Sequence, residues 1–525
     1  MRTINTDVAV VGSGAAGLAA ALKARESGRD VLLLTKGALG KNTCTAMAAG
    51  IFASASGAYS EEQHFNATMG VGRGINDKAL VQAIVEGGRA ILTELKERGA
   101  PLLNTPTGFK VEDSTGSQIP GVRLVGALKE LVRQSGVWNI PGFHCLGVVK
   151  EGARAVGVHG VDGAGESLLI RAGAVVLATG GGSALYKRHD NPPGAVGEGY
   201  TLALRAGCKL RDMEFVQFYP IGFAQKGLPA FLVFPPYPPG SKAVDGQGRE
   251  VLWELGDCRD LNDAIIRFRD TSSLLFWRKH RMGGLYLDFT GVAEEEWNKS
   301  FSLRHLAKSS FDLRHKKCAI APITHFFMGG VCVDASMATE VPGLYAAGEV
   351  TGGLHGANRM GGNALTECLV GGAIAGRGAA AFAGSAPKST TAMEACSDLP
   401  APPSDCAGEG VERGLLEVQA LLRVAAWEHA GIERDEAGMR KGLETILTLG
   451  TRLGNQRPTS AAGWLKGREL KNGLLVMEAV LAAGLARRES RGAFFRKDFP
   501  EMDDANWQKS ITLKLDGMGR IILAE

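Results

Sequence analysis

The first forty residues alternate between apolar runs and glycine. Asp7–Val11 (DVAVV) is a short, nearly continuous apolar run, GSGAAG follows at 12–17, Leu18–Ser27 carries a helical pattern to Gly28, and Asp30–Leu34 is a second apolar run. Continuous apolar runs of this length, closed by glycine, suit strands buried on both faces of a parallel sheet. Strand, glycine turn, helix and strand together make a βαβ unit. Its G-x-G-x-x-G spacing lets the turn tighten and aims backbone N–H groups at a pyrophosphate on a helix N-terminus. Without the flanking strands the same motif would be no more than a glycine-rich helix start.

Two later segments repeat the strand-then-glycine pattern. AGAVVLATGG (172–181) is an apolar strand ending in small residues, and VPGLYAAGEV (341–350) ends in Gly348-Glu349, ahead of an apolar helix over about Ala364–Phe382. Strand ends so far apart that serve one site imply a discontinuous α/β ligand domain of the Rossmann kind, 1–215 and 326–385, with an inserted α+β domain at 216–325. The insert is rich in proline, aromatics and charge, as in PPYPPG (235–240). Residues 386–410, rich in Ser, Pro and Ala, read as a linker. GLLEVQALLRVAAWE and ELKNGLLVMEAVLAAGLARRE lie in a stretch of helical period, so 411–525 reads as a C-terminal helical domain. No internal repeat is visible.

Composition narrows the function. A length of 525 residues is too great for one core and suggests two or three domains. A net charge of +4, with no basic tract interleaved with aromatics, argues against nucleic acid. No apolar run approaches the roughly 18 residues of a membrane span. The N-terminus enters a strand pattern without a basic region, twin arginine or cleavage site, so the expected location is cytoplasmic, peripheral to the inner membrane only through partners. Nine scattered cysteines with no CxxC fit reduced thiols rather than zinc or iron–sulfur ligation.

The chain resembles the flavoprotein subunits of succinate dehydrogenase and fumarate reductase, together with L-aspartate oxidase. The resemblance covers nearly the whole length and is carried by GSGAAG (12–17), ATGG (178–181), GEGYTLALRAG (197–207), RDMEFVQF (211–218), THFFMGGV (324–331), GLYAAGEV (343–350), HGANRMGGNAL (355–365) and ARRESRGAFFRKDFP (486–500). It implies a two-dinucleotide-binding FAD domain, a capping domain inserted into it, a C-terminal helical domain, and hydride transfer between flavin N5 and a carbon beside a carboxylate. By position, FAD would be lined by Gly12, Ser13, Gly14, Ala15, Ala16, Gly17, Thr35, Lys36, Asn42, Thr43, Gly50, Ala178, Thr179, Gly180, Gly181, Glu198, Gly348, Glu349, Asn363, Ala364 and Leu365. The helix opening at Gly362–Leu365 would set its N-terminus against the flavin edge that becomes negative on reduction.

The sequence departs from that family in its chemistry. Thr43 stands where many members carry the histidine that bonds FAD covalently, so FAD is expected to be noncovalent; Cys44 is one residue away. Tyr219 and Ile221, in FVQFYPIG, stand where the family has histidine and threonine. The position assigned to the family's proton-shuttling arginine is Tyr237, and no arginine lies between Gly227 and Gly248. His325 and Arg359, two substrate ligands, are present. Each charge-assisted hydrogen bond is worth about 1.5–3 kcal/mol, so two neutral phenols disfavour a dicarboxylate by at most about 3–6 kcal/mol.

The expected activity is therefore an FAD-dependent oxidoreductase acting on an activated carbon–carbon double bond, in an enoate, enoyl or related carbonyl compound rather than fumarate or succinate. His325 and Arg359 would hold and polarise the acid or carbonyl. Tyr237 or Tyr219, its pKa lowered from near 10 by Lys242 or Arg249, or Lys242 itself, would supply the proton. For His325 the plain alternative is a core histidine; for the tyrosines it is that they only fill space. Electrons would come from an iron–sulfur subunit. Two other readings stay open at this point: an electron-transferring subunit without its own organic substrate, and a fumarate reductase with a relocated proton donor.

Overall fold

The computed structural model describes residues 2–112, 119–163, 165–228, 235–299, 303, 311–386 and 411–524; the expected linker lies almost wholly outside them. β1 (Arg2–Val11), α1 (Ala15–Glu26), β2 (Val31–Thr35) and α2 (Cys44–Met47) open the chain. β3 (Trp138–Pro141), β4 (His144–Glu151), β5 (Arg154–Val161) and β6 (Ser167–Leu177) follow, then α3 (Glu198–Ala206). They join in a sheet of order β3-β2-β1-β6-β5-β4. β6 forks. Its first half pairs antiparallel with β5, while its last three residues pair parallel with β12 (Leu344–Ala346), a strand that arrives after the cap.

Register sets the site. Val11 is level with Leu34 and with Leu177, and Leu177 with Ala346. Four parallel strands therefore stop at one edge, and the next residue of each is a glycine, a threonine or an alanine. α1 is buried from Ala15 to Ala24 because it is sandwiched between the sheet and α5 (Asn363–Ser385). Small residues make that close approach possible: a Cβ on Gly372 or Gly376 would strike the backbone of Ala16 or Ala20.

The insert is built on an antiparallel sheet. β8 (Val216–Phe223) pairs with β11 (Cys318–Phe327), then β10 (Leu285–Asp288) and β9 (Lys242–Asp245), and α4 (Arg269–Met282) packs on β8. Tyr219, Ile221, Phe223, Tyr237, Ile320 and Ile323 share its separate core. The β8–β11 register slips at two places, between Gln217 and Phe218 and between Tyr219 and Gly222, and the first bears on the site. Gln217 faces Phe326 while Phe218 faces Thr324, leaving His325 as the extra residue of a β-bulge. Bulges of this kind re-aim a side chain beside a site.

The C-terminal part is mainly helical as far as Ala486, through α6 (Arg413–His429), α7 (Glu436–Gly454) and α8 (Ala461–Ala486), with one further helical turn at Asp504–Trp507. The remainder turns back: β13 (Thr512–Leu515) pairs with β14 (Ile521–Leu523) and with β7 (Leu210–Arg211), the strand just before the cap. What holds it there is buried charge. Arg487 Nε lies 2.6 Å from Glu214 Oε1 and Nη1 2.8 Å from Glu489 Oε1, all three side chains fully buried. Arg487 also donates to the carbonyls of Trp507 and Lys509, and its guanidinium stacks 4.8 Å over the Phe215 ring. The ARRESRG run, which resembles a solvated helix end, is thus a buried joint. Among the described residues no helix is long and apolar enough to cross a membrane.

Removing one partner of a buried ion network leaves uncompensated charge, at about 3–5 kcal/mol. Arg487→Met is expected to lower the unfolding midpoint of the purified protein by several degrees in a thermal scan. A midpoint equal to that of the native protein would show that the joint contributes nothing.

Candidate active site

The crevice at the sheet edge fits a dinucleotide. Gly12 has φ +112, and a Cβ there would run into the Ala178 carbonyl, so only glycine lets β1 turn beneath the end of β6. On the open side, nothing lies within 4 Å of where a Gly180 Cβ would sit. α1 starts at Gly14 with no acid in its first turn; Thr45 Oγ1 accepts the Ala15 N–H at 3.0 Å, and the rest of the turn is left available to an anion. α5 starts the same way at Gly362, whose φ is +87. Nδ1 of the buried His355 has no partner among the described residues, its Nε2 being bound to Glu367 at 2.8 Å. A pair of helix ends with no acid in their first turns, an open glycine edge and an orphaned buried nitrogen are what a bound FAD would satisfy.

The residues expected to line FAD gather at this edge, through backbone more than side chain. Gly12 to Gly17 form the β1–α1 turn, and Ser13 Oγ accepts the Gly40 N–H at 3.0 Å. Thr35 ends β2 and Lys36 follows it; Thr35 donates to the Gly37 carbonyl at 2.6 Å. Asn42, with φ +54, Thr43 and Gly50 bracket α2. Ala178 to Gly181 follow β6, and Gly348 and Glu349 follow β12. Lys36 and Glu198 bind one another, Nζ 2.9 Å from Oε1. Burial works against the lysine's charge, but Glu198 and Glu469 outweigh it and hold its pKa above the usual value. The Asn363 side chain is taken by His64 at 2.8 Å and Thr68 at 2.9 Å, so its backbone, with Ala364 and Leu365, is what α5 presents. Burial pushes the Glu349 carboxyl up to about 8, and its Oε1 accepts the Phe327 N–H at 3.1 Å.

At the cap junction the structure brings His325, Arg359 and Tyr219 together. His325 Nδ1 is 2.7 Å from Asp190 Oδ2, and Asn191 Nδ2 donates to Asp190 Oδ1 and to the His325 carbonyl at 2.9 and 3.0 Å. The bulged histidine is therefore fixed from behind through Nδ1. Arg359 is only 7% exposed. Its Nε and Nη2 donate to Gln217 Oε1 at 3.2 and 2.8 Å, and its guanidinium lies 4.8 Å over the Phe326 ring. No ion pair holds it among the described residues. Burial, and then the neighbouring charge of Arg269, bring its pKa down to about 10. The Tyr219 and His325 rings are 6.1 Å apart.

The activation expected of the two phenols is opposed by burial. The tyrosines are not activated by charge. Burial raises the pKa of Tyr219, with Tyr237 and Arg269 pulling only partly against it, and burial and Tyr219 raise that of Tyr237. The two phenols are neighbours, though the Tyr219 hydroxyl makes no well-aligned hydrogen bond. The cations expected to act on them are engaged elsewhere: Lys242, half exposed, pairs with Glu250 at 3.5 Å, and Arg249, mostly exposed, with Asp245 at 2.9 Å.

The cap does bring an arginine to this corner, from outside the Gly227–Gly248 segment. Arg269, at the start of α4, donates to the Arg359 carbonyl at 3.0 Å. Burial lowers its pKa, with Asp270 and Tyr219 opposing. In the sequence, RFRD (267–270) has the look of a solvated helix start, so Arg269 is invisible there. Gln217 has a signal, as the one polar side chain with no aromatic ring in the otherwise apolar VQFYPIGF. Asp190 and Asn358 have none.

Comparison with known proteins agrees with this geometry. Residues 7–365 match the family model described as an FAD binding domain, and residues 419–521 the model described as the fumarate reductase flavoprotein C-terminus. The chain is 32% identical to a subunit of the fumarate reductase (CoM/CoB) of Methanothermobacter marburgensis, over 97% of this chain and 96% of that one. It is 30% identical to L-aspartate oxidase of Streptomyces coelicolor, over 98% and 92%. A quinol fumarate reductase flavoprotein of E. coli superposes with a TM-score of 0.87 at 26% identity, covering all of this chain and 97% of that one. The chain belongs to the family of FAD-dependent oxidoreductases formed by the fumarate reductase and succinate dehydrogenase flavoproteins and L-aspartate oxidase.

Proposed function

We propose that this flavoprotein transfers a hydride between FAD and the activated double bond of a monocarboxylate, enoyl or related carbonyl compound, rather than fumarate or succinate. The observation that carries this reading is a pair of guanidiniums, the buried Arg359 and the half-buried Arg269, with no carboxylate in ion-pair contact among the described residues, beside the neutral phenols of Tyr219 and Tyr237. Two cations ask for one anionic or carbonyl group. The phenol side offers nothing that would neutralise a second carboxylate.

FAD, when bound and reduced, would supply the hydride, which carries both electrons. Arg359, held flat between Gln217 and the Phe326 ring, receives the carboxylate or carbonyl on its remaining N–H groups. His325 has Nδ1 committed to Asp190, so Nε2 is its working atom, and it polarises the same group. Arg269 gives the proton to the other carbon. Desolvation moves a guanidinium toward being a usable acid, whereas it moves a phenol away from being one. Tyr219 and Tyr237 then shape the apolar end of the site. Electrons reach FAD from a partner with its own redox centres, an iron–sulfur protein; that a relative is named as one subunit of a larger enzyme supports this.

FAD is held without a covalent bond. Thr43 caps α2, its Oγ1 accepting the Ala46 N–H at 3.2 Å. The Cys44 thiol donates to Asn191 at 3.2 Å, and burial keeps its pKa well above the ordinary value, so no thiolate is poised.

Acid precipitation is therefore expected to release all the flavin into the supernatant; a fluorescent protein band on a denaturing gel would contradict this. The substrate reading is tested by reducing the flavin anaerobically and mixing with fumarate, crotonate, an enoyl thioester or an enone while its absorbance returns. One lost charge-assisted contact predicts reoxidation by fumarate at least about tenfold slower than by the best of the others. Arg269→Gln is expected to cost about 10²–10⁴ in that rate while acceptor binding persists. Fumarate as the fastest oxidant would overturn the reading, and silence from the whole panel would leave an electron-carrying subunit.

A further inference from the structure

Four of the five residues from Pro235 to Pro239 are prolines, so Tyr237 owns the one backbone N–H of that stretch. A segment this poor in donors cannot be fixed by a sheet ladder. The Asn262 side chain takes the place of one. Its Oδ1 accepts the Tyr237 N–H at 2.7 Å, and its Nδ2 donates to the Tyr237 carbonyl at 2.9 Å. A primary amide offers a donor and an acceptor side by side, as a neighbouring strand would. Asn262 lies on the short helix Leu261–Ile266, which Asp260 caps by accepting the Asp263 N–H at 2.9 Å. Leu261, Ala264 and Ile265, at i, i+3 and i+4, anchor that helix in the cap's core. Asn262 falls on another face, turned to Tyr237.

The same helix also reaches the polar end of the site. The Ile265 carbonyl accepts from Arg269 Nε at 3.4 Å, while Arg269 Nη1 donates to the Arg359 carbonyl at 3.0 Å. Ser272 Oγ donates to the Ala264 carbonyl at 2.9 Å, which ties the helix to α4. At the other end, the Tyr237 phenol neighbours that of Tyr219. Side chains alternate across β8, so Phe218 faces a rear cavity of about 230 Å³ and Tyr219 faces the site, its ring 6.1 Å from that of His325. One helix of six residues therefore mounts both the phenol wall and Arg269. We infer that Asn262 is a positioning residue that sets substrate length: by clamping the Tyr237 backbone it fixes how far the phenol wall stands from Arg269, and so how long a tail fits beyond the double bond. This rests on the reading of the two tyrosines as the apolar end of an alkene site. Both are buried and backed by the cap's core, so the tail at the end away from Arg359 is short. The substrate class is a short-chain unsaturated acid or carbonyl compound, not a long-chain enoate.

Asn262→Ala removes both hydrogen bonds and leaves the histidine and the two arginines of the site unaltered. Reoxidation of pre-reduced flavin is followed with short and long members of one class, crotonate and trans-2-octenoate or their thioesters. In native protein the short acceptor is expected to be the faster. In Asn262→Ala the ratio of kcat/KM for the long acceptor over the short one is expected to rise at least about tenfold, while the saturating rate with the short one stays within about threefold. Tyr237→Ala should raise the same ratio, and the double variant should go no further than Tyr237→Ala alone. Asn262→Asp keeps the acceptor for the Tyr237 N–H and should fall between. A second readout needs no turnover. Burial holds the Tyr237 phenol above its ordinary range, so loosening its segment should bring one phenol down toward about 10 in an absorbance titration. Asn262→Ala combined with Tyr237→Phe should lack that step. An unchanged ratio, equal losses with both acceptors, additive effects in the double variant or an unchanged phenol titration would each overturn the inference while native activity stands. Native protein silent toward short and long acceptors alike would overturn the alkene reading, and the length role with it.

Discussion

A charged guanidinium in a dry crevice is expensive, and Arg359 is placed there without a carboxylate in contact. Its compensation is indirect. One amide oxygen, from Gln217, takes two of its N–H groups, the Phe326 ring covers a face, and Glu349, Glu367 and Asp190 act from a distance. Much of the surrounding structure maintains this arrangement. Asn358 bonds to Gln217 and to Asp270, so the clamp on Arg359 is tied both to β8 and to α4. Arg269 reaches from α4 to the Arg359 carbonyl and so fastens the cap to the loop that leads into α5. The second cation makes the site more positive and drives the pKa of Arg359 further down. An arrangement this uncompensated is stable only if the fold enforces it, and it gains most when an anion or a carbonyl enters.

The enforcement comes from the entry to β8 and from the strand paired with it. At its start Glu214 is gripped by Arg487, while Arg434 donates to the Glu214 carbonyl at 2.9 Å, so the returning C-terminal tail fixes where the strand enters the cap. Three residues on, Gln217 must meet Arg359. Across the ladder, the bulge that turns His325 out of register lies opposite that same Gln217–Phe218 step. A residue inserted or lost in β8 would reverse the faces of Gln217, Phe218 and Tyr219 at once, exchanging the site for the rear cavity. The ion network at the tail and the substrate corner are therefore parts of one mechanical problem, which is holding a single strand in register.

The α/β frame is legible in the sequence because its signals are local. A five-residue apolar run, a glycine turn and an alanine-rich helix specify β1 and α1 almost independently of the rest, and the pattern recurs at β6 and β12. The crevice is legible for the same reason: its parts are backbone at strand ends. The substrate corner is only half legible. His325 and Arg359 sit in distinctive contexts, but what each does depends on Asp190 and Gln217, which lie 135 and 142 residues away in the chain. Arg269 is hidden because one arginine among Arg267, Arg269 and Asp270 gives no sign of which will be desolvated. Lys242 misleads for the complementary reason: proximity in sequence to Tyr237 suggests proximity in space, and an antiparallel strand sends it to solvent beside Glu250 instead.

Tyr219 and Tyr237 show how burial changes the meaning of a residue type. A phenol near a lysine in a loop invites an acid–base role. The same phenols, packed with Ile221, Phe223 and Ile323 in the cap's own core, are held neutral by the medium around them. Neutral, bulky and polar only at one atom, they can accept an apolar chain or a carbonyl edge but cannot balance a charge. Two guanidiniums and a histidine on one side and two desolvated phenols on the other make the site asymmetric in charge. A symmetric dianion matches only half of such a site. On the function proposed above, an acid or carbonyl with an uncharged far end would match both halves, and the asymmetry itself would orient it, with its polar group at Arg359.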